Sequence, residues 1–250
     1  MPASISDIRR LLKVKVLPKS SESRRVFITG GTGYIGSALI PILLERGHRV
    51  RALLRPGSKA KMPADCEVVS GNALDGHSYR QFIRPADTFI HLVGVPYPSP
   101  AKGAQFRAVD LVSAREAIEV CAELGMHHFI YLSVAQPAPL MVMKDYIAVR
   151  AECEQILQKR RLNATIVRPW YVLGPGHNWP YALLPVYKLC EWLPFTRDGA
   201  RRLGLVTLDQ LILALVEAVE SPAQGSRIVA VPEIRSAQLH TSSAATRKTA

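Results

Sequence analysis

The sequence lacks the features that define membrane-spanning, secreted and metal-clustered proteins. No apolar run reaches the roughly 18 residues that a spanning helix requires, and no apolar segment near the N-terminus precedes a small-residue cleavage site. The four cysteines lie far apart, so the chain contains neither a CxxC redox pair nor a zinc knuckle. We therefore expect a cytoplasmic protein with reduced thiols and no bound metal.

Acidic residues are scarce, with 20 Asp and Glu against 32 Lys and Arg, for a net charge of +12. Much of the excess lies in residues 1–25 and in the C-terminal tail, which leaves the central region only moderately basic. This distribution does not favour a nucleic-acid partner. The basic and apolar N-terminal extension would either contact an anionic membrane surface or form a partly ordered tail.

Strand-like and helix-like patterns alternate along most of the chain. Strands are predicted over residues 25–29, 48–54, 67–69, 88–93, 128–133 and 164–167, and helices over 34–46, 76–82, 105–124 and 146–159. Such alternation requires parallel strands joined by crossover helices. The predicted fold class is therefore α/β, a Rossmann-type doubly wound parallel sheet with a small C-terminal cap.

The chain is expected to divide into four parts. Residues 1–24 form the basic extension, 25–168 the Rossmann domain, 169–232 a cap that completes the domain, and 233–250 a disordered tail. The cap begins with a segment rich in proline and aromatic residues and ends with a helix over 206–219 and a strand over 227–231. Rings of this segment are candidate walls of a substrate pocket, although packing explains them equally well: Trp170, Tyr171, His177 and Trp179.

The motif TGGTGYIG, residues 29–36, directly follows the first strand and opens the first helix. Gly30 permits a tight turn, Gly33 lets a pyrophosphate approach the backbone, and Gly36 lets the helix pack closely on the strand. The free N–H groups at a helix N-terminus attract phosphate, so Thr32, Tyr34 and Ile35 complete the predicted cradle. No Gly-Lys-Ser/Thr follows, which disfavours a nucleoside-triphosphate site.

With this motif the chain resembles the short-chain dehydrogenase/reductase superfamily in its extended and atypical branches, from about residue 25 to residue 232. HLVG at 91–94, Ser133 and RPWYVLGPG at 168–176 also match that family. The chain is similar to bacterial members of the NAD-dependent epimerase/dehydratase type and to the nucleotide-binding accessory subunit of respiratory complex I. The resemblance implies that the chain binds a nicotinamide dinucleotide and that four residues lie beside it: Leu92, Val93, Gly94 and Arg168. Arg168 could instead be a salt-bridged strand end.

The residue after the second strand bears on the choice between NADP and NAD. An acidic residue at the end of that strand accepts hydrogen bonds from the adenosine ribose and repels a 2′-phosphate, but here Leu54 occupies that position and Arg55 follows it. A guanidinium can bind a 2′-phosphate through two hydrogen bonds. We therefore predict NADP, with NAD as the alternative, and place Asn72 and Ala73 beside the adenine.

The resemblance also implies a proton relay of Tyr-x-x-x-Lys with a serine on the fifth strand. This chain has Tyr146-x-x-x-Arg150, 13 residues after Ser133. Arg150 keeps the positive charge that favours a phenolate, but its longer planar group changes the expected contact with the nicotinamide ribose. Two functions stay open: an oxidoreductase or epimerase acting on a small carbonyl or sugar-like substrate, or a non-catalytic NADP(H)-binding structural subunit or redox sensor.

Overall fold

The computed structural model describes residues 18–136, 140–175 and 203–237, together with residues 6 and 10. In these ranges the strands are β1 (Arg25–Thr29), β2 (Arg49–Leu54), β3 (Glu67–Ser70), β4 (Thr88–His91), β5 (His128–Leu132), β6 (Ala164–Val167), β7 (Val172–Leu173), β8 (Val206–Thr207) and β9 (Ser226–Val229). The helices are α1 (Tyr34–Glu45), α2 (Arg80–Ile83), α3 (Gly103–Gln105), α4 (Val112–Glu123), α5 (Leu140–Lys159), α6 (Leu208–Glu220) and α7 (Val231–Ser236). A π-helical segment, Phe106–Leu111, joins α3 to α4.

Seven parallel strands form one sheet in the order β3-β2-β1-β4-β5-β6-β9. The winding direction reverses between β1 and β4, and in such sheets the reversal opens a ligand crevice at the carboxyl ends of the two strands. The predicted Rossmann-type sheet is confirmed. The short strands β7 and β8 pair separately.

Helices cover both faces of the sheet, so its central strands are buried on both sides. On one face Val26 and Ile28 pack with α1, α6 and α7. On the other, Phe27 and Phe89 stack with ring centroids 5.3 Å apart, and Phe89 stacks on Phe129 at 5.3 Å, in a layer closed by α4 and α5. The rigid sheet holds the turns at its carboxyl edge in fixed positions.

Several elements differ from the sequence predictions. The predicted helix over 76–82 is a 3-10 helix, Gly76–Ser78, followed by α2, and the helix predicted over 146–159 begins at Leu140. The strands predicted over 88–93 and 227–231 end at His91 and Val229. Val206 was predicted to be helical but is extended, and α6 begins at Leu208 because the Thr207 and Gln210 side chains form a capping box. The predicted helix over 105–124 contains the π-helical segment. The tail was predicted to be disordered from residue 233, yet α7 continues to Ser236 because its apolar side chains, Val231 and Ile234, are buried.

Other predictions lie wholly or mainly outside the described residues: residues 1–17 of the extension, 176–202 of the cap and 238–250 of the tail. Of the helices that the structure describes, none combines the length and the apolar character needed to cross a membrane.

A buried ionic cluster ties the end of α1 to the end of α6. Arg46 donates two hydrogen bonds of 2.7 Å to the Glu220 carboxylate, and His48 Nε2 lies 3.3 Å from Glu220 Oε1. The Arg46 side chain is 0% exposed and that of Glu220 is 5% exposed. Although burial raises the pKa of Glu220, the hydrogen bonds from His48 and Arg46 lower it below its usual value.

We expect Glu220→Gln to lower the free energy of unfolding by about 3 kcal/mol, because it leaves the buried Arg46 charge without its counter-ion. Because the folded-state pKa of Glu220 is lowered, the difference from wild type should be fully present above about pH 4.3 and shrink as the pH falls below that value. Urea unfolding at several pH values measures both effects. Glu123→Gln, in an ion pair with exposed Arg80, is the control and should cost about 0.5 kcal/mol.

Candidate active site

The glycine turn lies at the carboxyl end of β1, and two of its glycines are required by close packing. Gly30 has φ +77°, and a Cβ there would lie 2.7 Å from the Leu92 carbonyl carbon. A Cβ on Gly36 would lie 2.5 Å from the Gly30 oxygen and 2.6 Å from the Gly31 Cα. Gly36 therefore packs on the turn itself, which is how α1 approaches the end of β1 so closely.

The turn is open in front of α1. A Cβ on Gly33 would meet a single atom within 4 Å, the Gly30 oxygen at 3.2 Å. Thr32 and Gly33 are exposed, whereas Tyr34 and Ile35 are half-buried and pack on the core. The first turn of α1 contains no acidic residue that would repel an anion. Its N–H groups and the open glycine backbone fit the diphosphate of a dinucleotide.

The three predicted adenosine contacts follow β2 and β3 at the same edge of the sheet. Arg55 is exposed and forms no ion pair with any residue that the structure describes. Arg51, in contrast, is bound to Glu67 at 2.8 Å. Asn72 is exposed, and its Oδ1 accepts the Leu74 N–H at 3.1 Å, which fixes the side chain in a local turn. Ala73 is half-buried beside it.

The loop after β4, residues 92–95, lies at the reversal of the sheet between the glycine turn and α5. Leu92 donates its N–H to the Thr29 oxygen at 3.0 Å. Val95 donates its N–H to Asp110 Oδ2 at 2.9 Å. A Cβ on Gly94 would lie 2.6 Å from Arg150 Nη2. Leu92, Val93 and Gly94, which were predicted to lie beside the cofactor, are half-buried along this crevice.

Arg150 is 6% exposed and makes several hydrogen bonds at the carboxyl edge of the sheet. Nη2 donates to Asp110 Oδ1 at 2.6 Å, and Nη1 donates to the Leu132 oxygen at 2.9 Å and to the Tyr131 hydroxyl at 3.3 Å. The guanidinium also lies 5.1 Å from the ring centroid of Tyr146. The guanidinium therefore lies with its positive charge beside the Tyr146 ring, while its terminal nitrogens are hydrogen-bonded to other protein groups.

Tyr146 is half-buried on α5, with its ring edge-on to Phe106 at 5.2 Å. Phe106 opens the π-helical segment that also contains Asp110. Burial raises the pKa of Asp110, and the neighbouring Arg150 guanidinium and Val95 N–H oppose that rise. Asp110 was not predicted, since no local sequence signal links it to a residue 40 positions later.

Ser133 and Arg168 meet at Glu154, a residue that the sequence reasoning missed. The Ser133 hydroxyl donates to the Glu154 carboxylate, and Arg168 donates to both of its oxygens, with Nε at 3.0 Å from Oε1. Arg168 thus has the strand-end ion pair that was one of its two predicted roles. Glu154 could have been found from the sequence, because it lies four residues after Arg150 and therefore on the same face of α5.

His91, at the end of β4, is a third buried polar residue that was not predicted. Its Nδ1 lies 2.9 Å from Thr29 Oγ1, its Nε2 lies 3.3 Å from Ser113 Oγ, and its ring stacks on Tyr131 at 6.1 Å. Burial, together with the Arg150 charge, lowers the pKa of His91 to about 3, so the imidazole is neutral at physiological pH. His91 thereby links the strand before the glycine turn to α4.

Part of the predicted substrate wall lies near the glycine turn. Trp170 and Tyr171 are half-buried, and their rings contact edge-on at 5.3 Å. A Cβ on Gly174 would collide with the Tyr34 hydroxyl, so this segment packs directly on the first turn of α1. His177 and Trp179 lie outside the described residues.

The sheet, the reversal between β1 and β4 and the open glycine turn define a dinucleotide-binding Rossmann protein. A family model for NAD(P)H-binding proteins matches residues 30–180, and the chain belongs to that family. The family resemblance inferred from the glycine motif is thus confirmed.

Named relatives are consistent with this assignment. The chain is 26% identical over 212 residues to a ceramide reductase of Caulobacter vibrioides, covering 84% of this chain and 65% of the relative. It is 27% identical over 228 residues to a 3-diazoavenalumate denitrifying reductase of a Streptomyces species, covering 80% and 74%. The Bordetella bronchiseptica enzyme WbmH, solved in complex with NAD+, shares the fold with a TM-score of 0.61 at 22% identity, covering 82% and 75%.

Proposed function

We propose that this protein is an NADP(H)-dependent oxidoreductase that acts on a carbonyl or sugar-like small molecule. The observation that carries the proposal is the open glycine turn, which faces the crevice at the reversal of the sheet. The relatives named as reductases support the reaction class. Epimerisation, which also moves a hydride at a sugar carbon, remains within the same proposal.

The residues at the carboxyl edge would hold the cofactor along its length. The glycine turn and the first N–H groups of α1 would bind the diphosphate, and Asn72 and Ala73 would border the adenine. Arg55 would bind the 2′-phosphate, because it is exposed beside the site and forms no ion pair with another described residue. This charge is the basis for choosing NADP over NAD.

We expect Arg55→Ala to weaken NADPH binding about 30-fold, because a charge-assisted pair with the 2′-phosphate is lost, while NADH affinity changes less than about two-fold. Fluorescence titration of the two reduced cofactors measures the selectivity. Arg49→Ala is a matched control, since Arg49 is an exposed arginine at the other end of the same strand. An equal loss for NADPH and NADH in Arg55→Ala would refute a 2′-phosphate contact.

Tyr146 would move the proton in the reaction. The nicotinamide, when bound, supplies or accepts a hydride at the substrate carbon. The Tyr146 hydroxyl would donate a proton to the substrate oxygen or accept one from it. The Arg150 guanidinium lies 5.1 Å from the Tyr146 ring centroid and places a positive charge beside the ring. Ser133 would orient the substrate through its oxygen, because its proton is donated to Glu154.

A second function is supported by the partners of the same side chains. Ser133 is hydrogen-bonded to Glu154, and Arg150 is hydrogen-bonded to Asp110. Such hydrogen bonds hold these side chains in fixed positions, which suits a protein that binds NADP(H) but does not turn over a substrate. The alternative is therefore a structural subunit or a redox sensor. Single-turnover measurements on a Tyr146 variant distinguish the two functions.

A further inference from the structure

We propose that Arg150 is a positioning residue for the cofactor site: through Asp110 it sets the shape of the loop at residues 92–95, which forms the nicotinamide side of the crevice. This inference rests on the proposed NADP(H) site. It assigns Arg150 a role different from direct contact with the nicotinamide ribose, and it gives Asp110 a function.

Both terminal nitrogens of Arg150 are already hydrogen-bonded to protein groups. Nη2 is held by Asp110 at 2.6 Å, and Nη1 is held by the Leu132 oxygen at 2.9 Å and the Tyr131 hydroxyl at 3.3 Å. The side chain is 7% exposed. Withdrawing such a group toward a ligand would leave the buried Asp110 carboxylate without its counter-ion, which is strongly unfavourable.

The same ion pair fixes the loop after β4. Asp110 accepts the Val95 N–H at 2.9 Å through the oxygen that is not bound to Arg150. The guanidinium fills the space beside the Gly94 Cα, where a Cβ would lie 2.6 Å from Nη2. The other end of the loop is held at the glycine turn, since Gly30 packs on the Leu92 carbonyl. The loop therefore lies between the phosphate turn and the Arg150–Asp110 pair.

A lysine cannot replace these contacts. The Arg150 hydrogen bonds run in different directions from two nitrogens of one planar group, to a carboxylate on the π-helical segment and to a carbonyl at the end of β5. An ammonium carries its three N–H donors on one nitrogen, so it cannot reproduce bonds that Arg150 makes from two separate nitrogens. The arginine is therefore suited to joining the two elements on either side of the loop.

The test compares NADPH with 2′,5′-ADP, which contains the adenosine and 2′-phosphate half of the cofactor but no nicotinamide. In Arg150→Lys we expect the dissociation constant for NADPH to rise about 10-fold, whereas that for 2′,5′-ADP stays within about two-fold. Asp110→Asn should give the same pattern, because it weakens the same pair. Calorimetric titration of the 250-residue chain measures all the affinities.

Arg160→Lys is the control, because Arg160 follows α5 and pairs with Glu119 on the exposed surface. It should leave both affinities unchanged. If Arg150→Lys does not fold, Gly94→Ala tests the same loop, since its Cβ would collide with Nη2. Unchanged or tighter NADPH binding in the variants would overturn this inference but not the proposed function. An equal loss of affinity for NADPH and for 2′,5′-ADP would do the same. A wild-type protein that binds neither ligand would overturn the proposed function itself.

Discussion

Replacing Gly36 with alanine is expected to weaken NADPH binding about 100-fold without unfolding the protein. The new Cβ would lie 2.5 Å from the Gly30 oxygen and 2.6 Å from the Gly31 Cα, closer than such atoms can approach. Since both neighbours are backbone atoms, the turn must move away from the first turn of α1. The N–H groups that we propose bind the diphosphate would then lose their arrangement. Titration with NADPH, followed by its fluorescence, gives the affinity.

Gly125→Ala serves as the control for a general loss of stability. Gly125 has φ +63° and no atom within 4 Å of its Cβ position, and it lies after α4, outside the predicted site. An alanine there costs about 1 kcal/mol of backbone strain and should leave NADPH affinity unchanged. If Gly36→Ala bound NADPH as tightly as Gly125→Ala does, the diphosphate would have to bind elsewhere.

Tyr146→Phe is expected to lower the rate of NADPH oxidation in a single turnover about 1,000-fold, because it removes the group that we propose donates the proton. NADPH affinity should change less than about two-fold, since the ring remains against Phe106 and the guanidinium of Arg150. The measurement mixes protein-bound NADPH with a panel of ketones, aldehydes and nucleotide-linked sugars and follows the absorbance of the cofactor.

Tyr79→Phe is the matched control. Tyr79 is buried in the core on the α4 side of the sheet, and its hydroxyl has no hydrogen-bond partner among the described residues. Its removal should leave the rate unchanged. If wild type and Tyr146→Phe both show no turnover with any substrate in the panel, the result favours the structural or redox-sensing function. A Tyr146→Phe variant as fast as wild type would exclude the phenol as the proton donor.

The sheet could be predicted because its central strands, β1, β4 and β6, are buried on both faces and are therefore largely apolar runs. The strand at Ala164–Val167 matches its prediction because it is an apolar run. The start of α1 at Tyr34 also matches, because Gly33 and the strand before it mark that position in the sequence. Local signals failed where tertiary packing decides. Val206 continues the apolar pattern of α6, but it is extended because it pairs with β7.

The site could be predicted only as far as its residues are local in sequence. The glycine turn was found because its residues are contiguous. Tyr146 and Arg150 were found because they are one helical turn apart. Asp110 and Glu154 were missed because their roles depend on a π-helical segment and on pairing with Arg168 across the fold. The arginine in place of lysine was noticed in the sequence, but its partners became apparent only in the structure.

The central claim is that the glycine turn and the N-terminus of α1 bind the diphosphate of a nicotinamide dinucleotide. Isothermal calorimetry of the wild-type chain with NADPH, NADH and the two oxidised cofactors tests it most directly. We predict a 1:1 complex with a dissociation constant of about 1–100 μM for NADPH and weaker binding of NADH. No heat of binding with any of the four cofactors at millimolar concentration would contradict the claim.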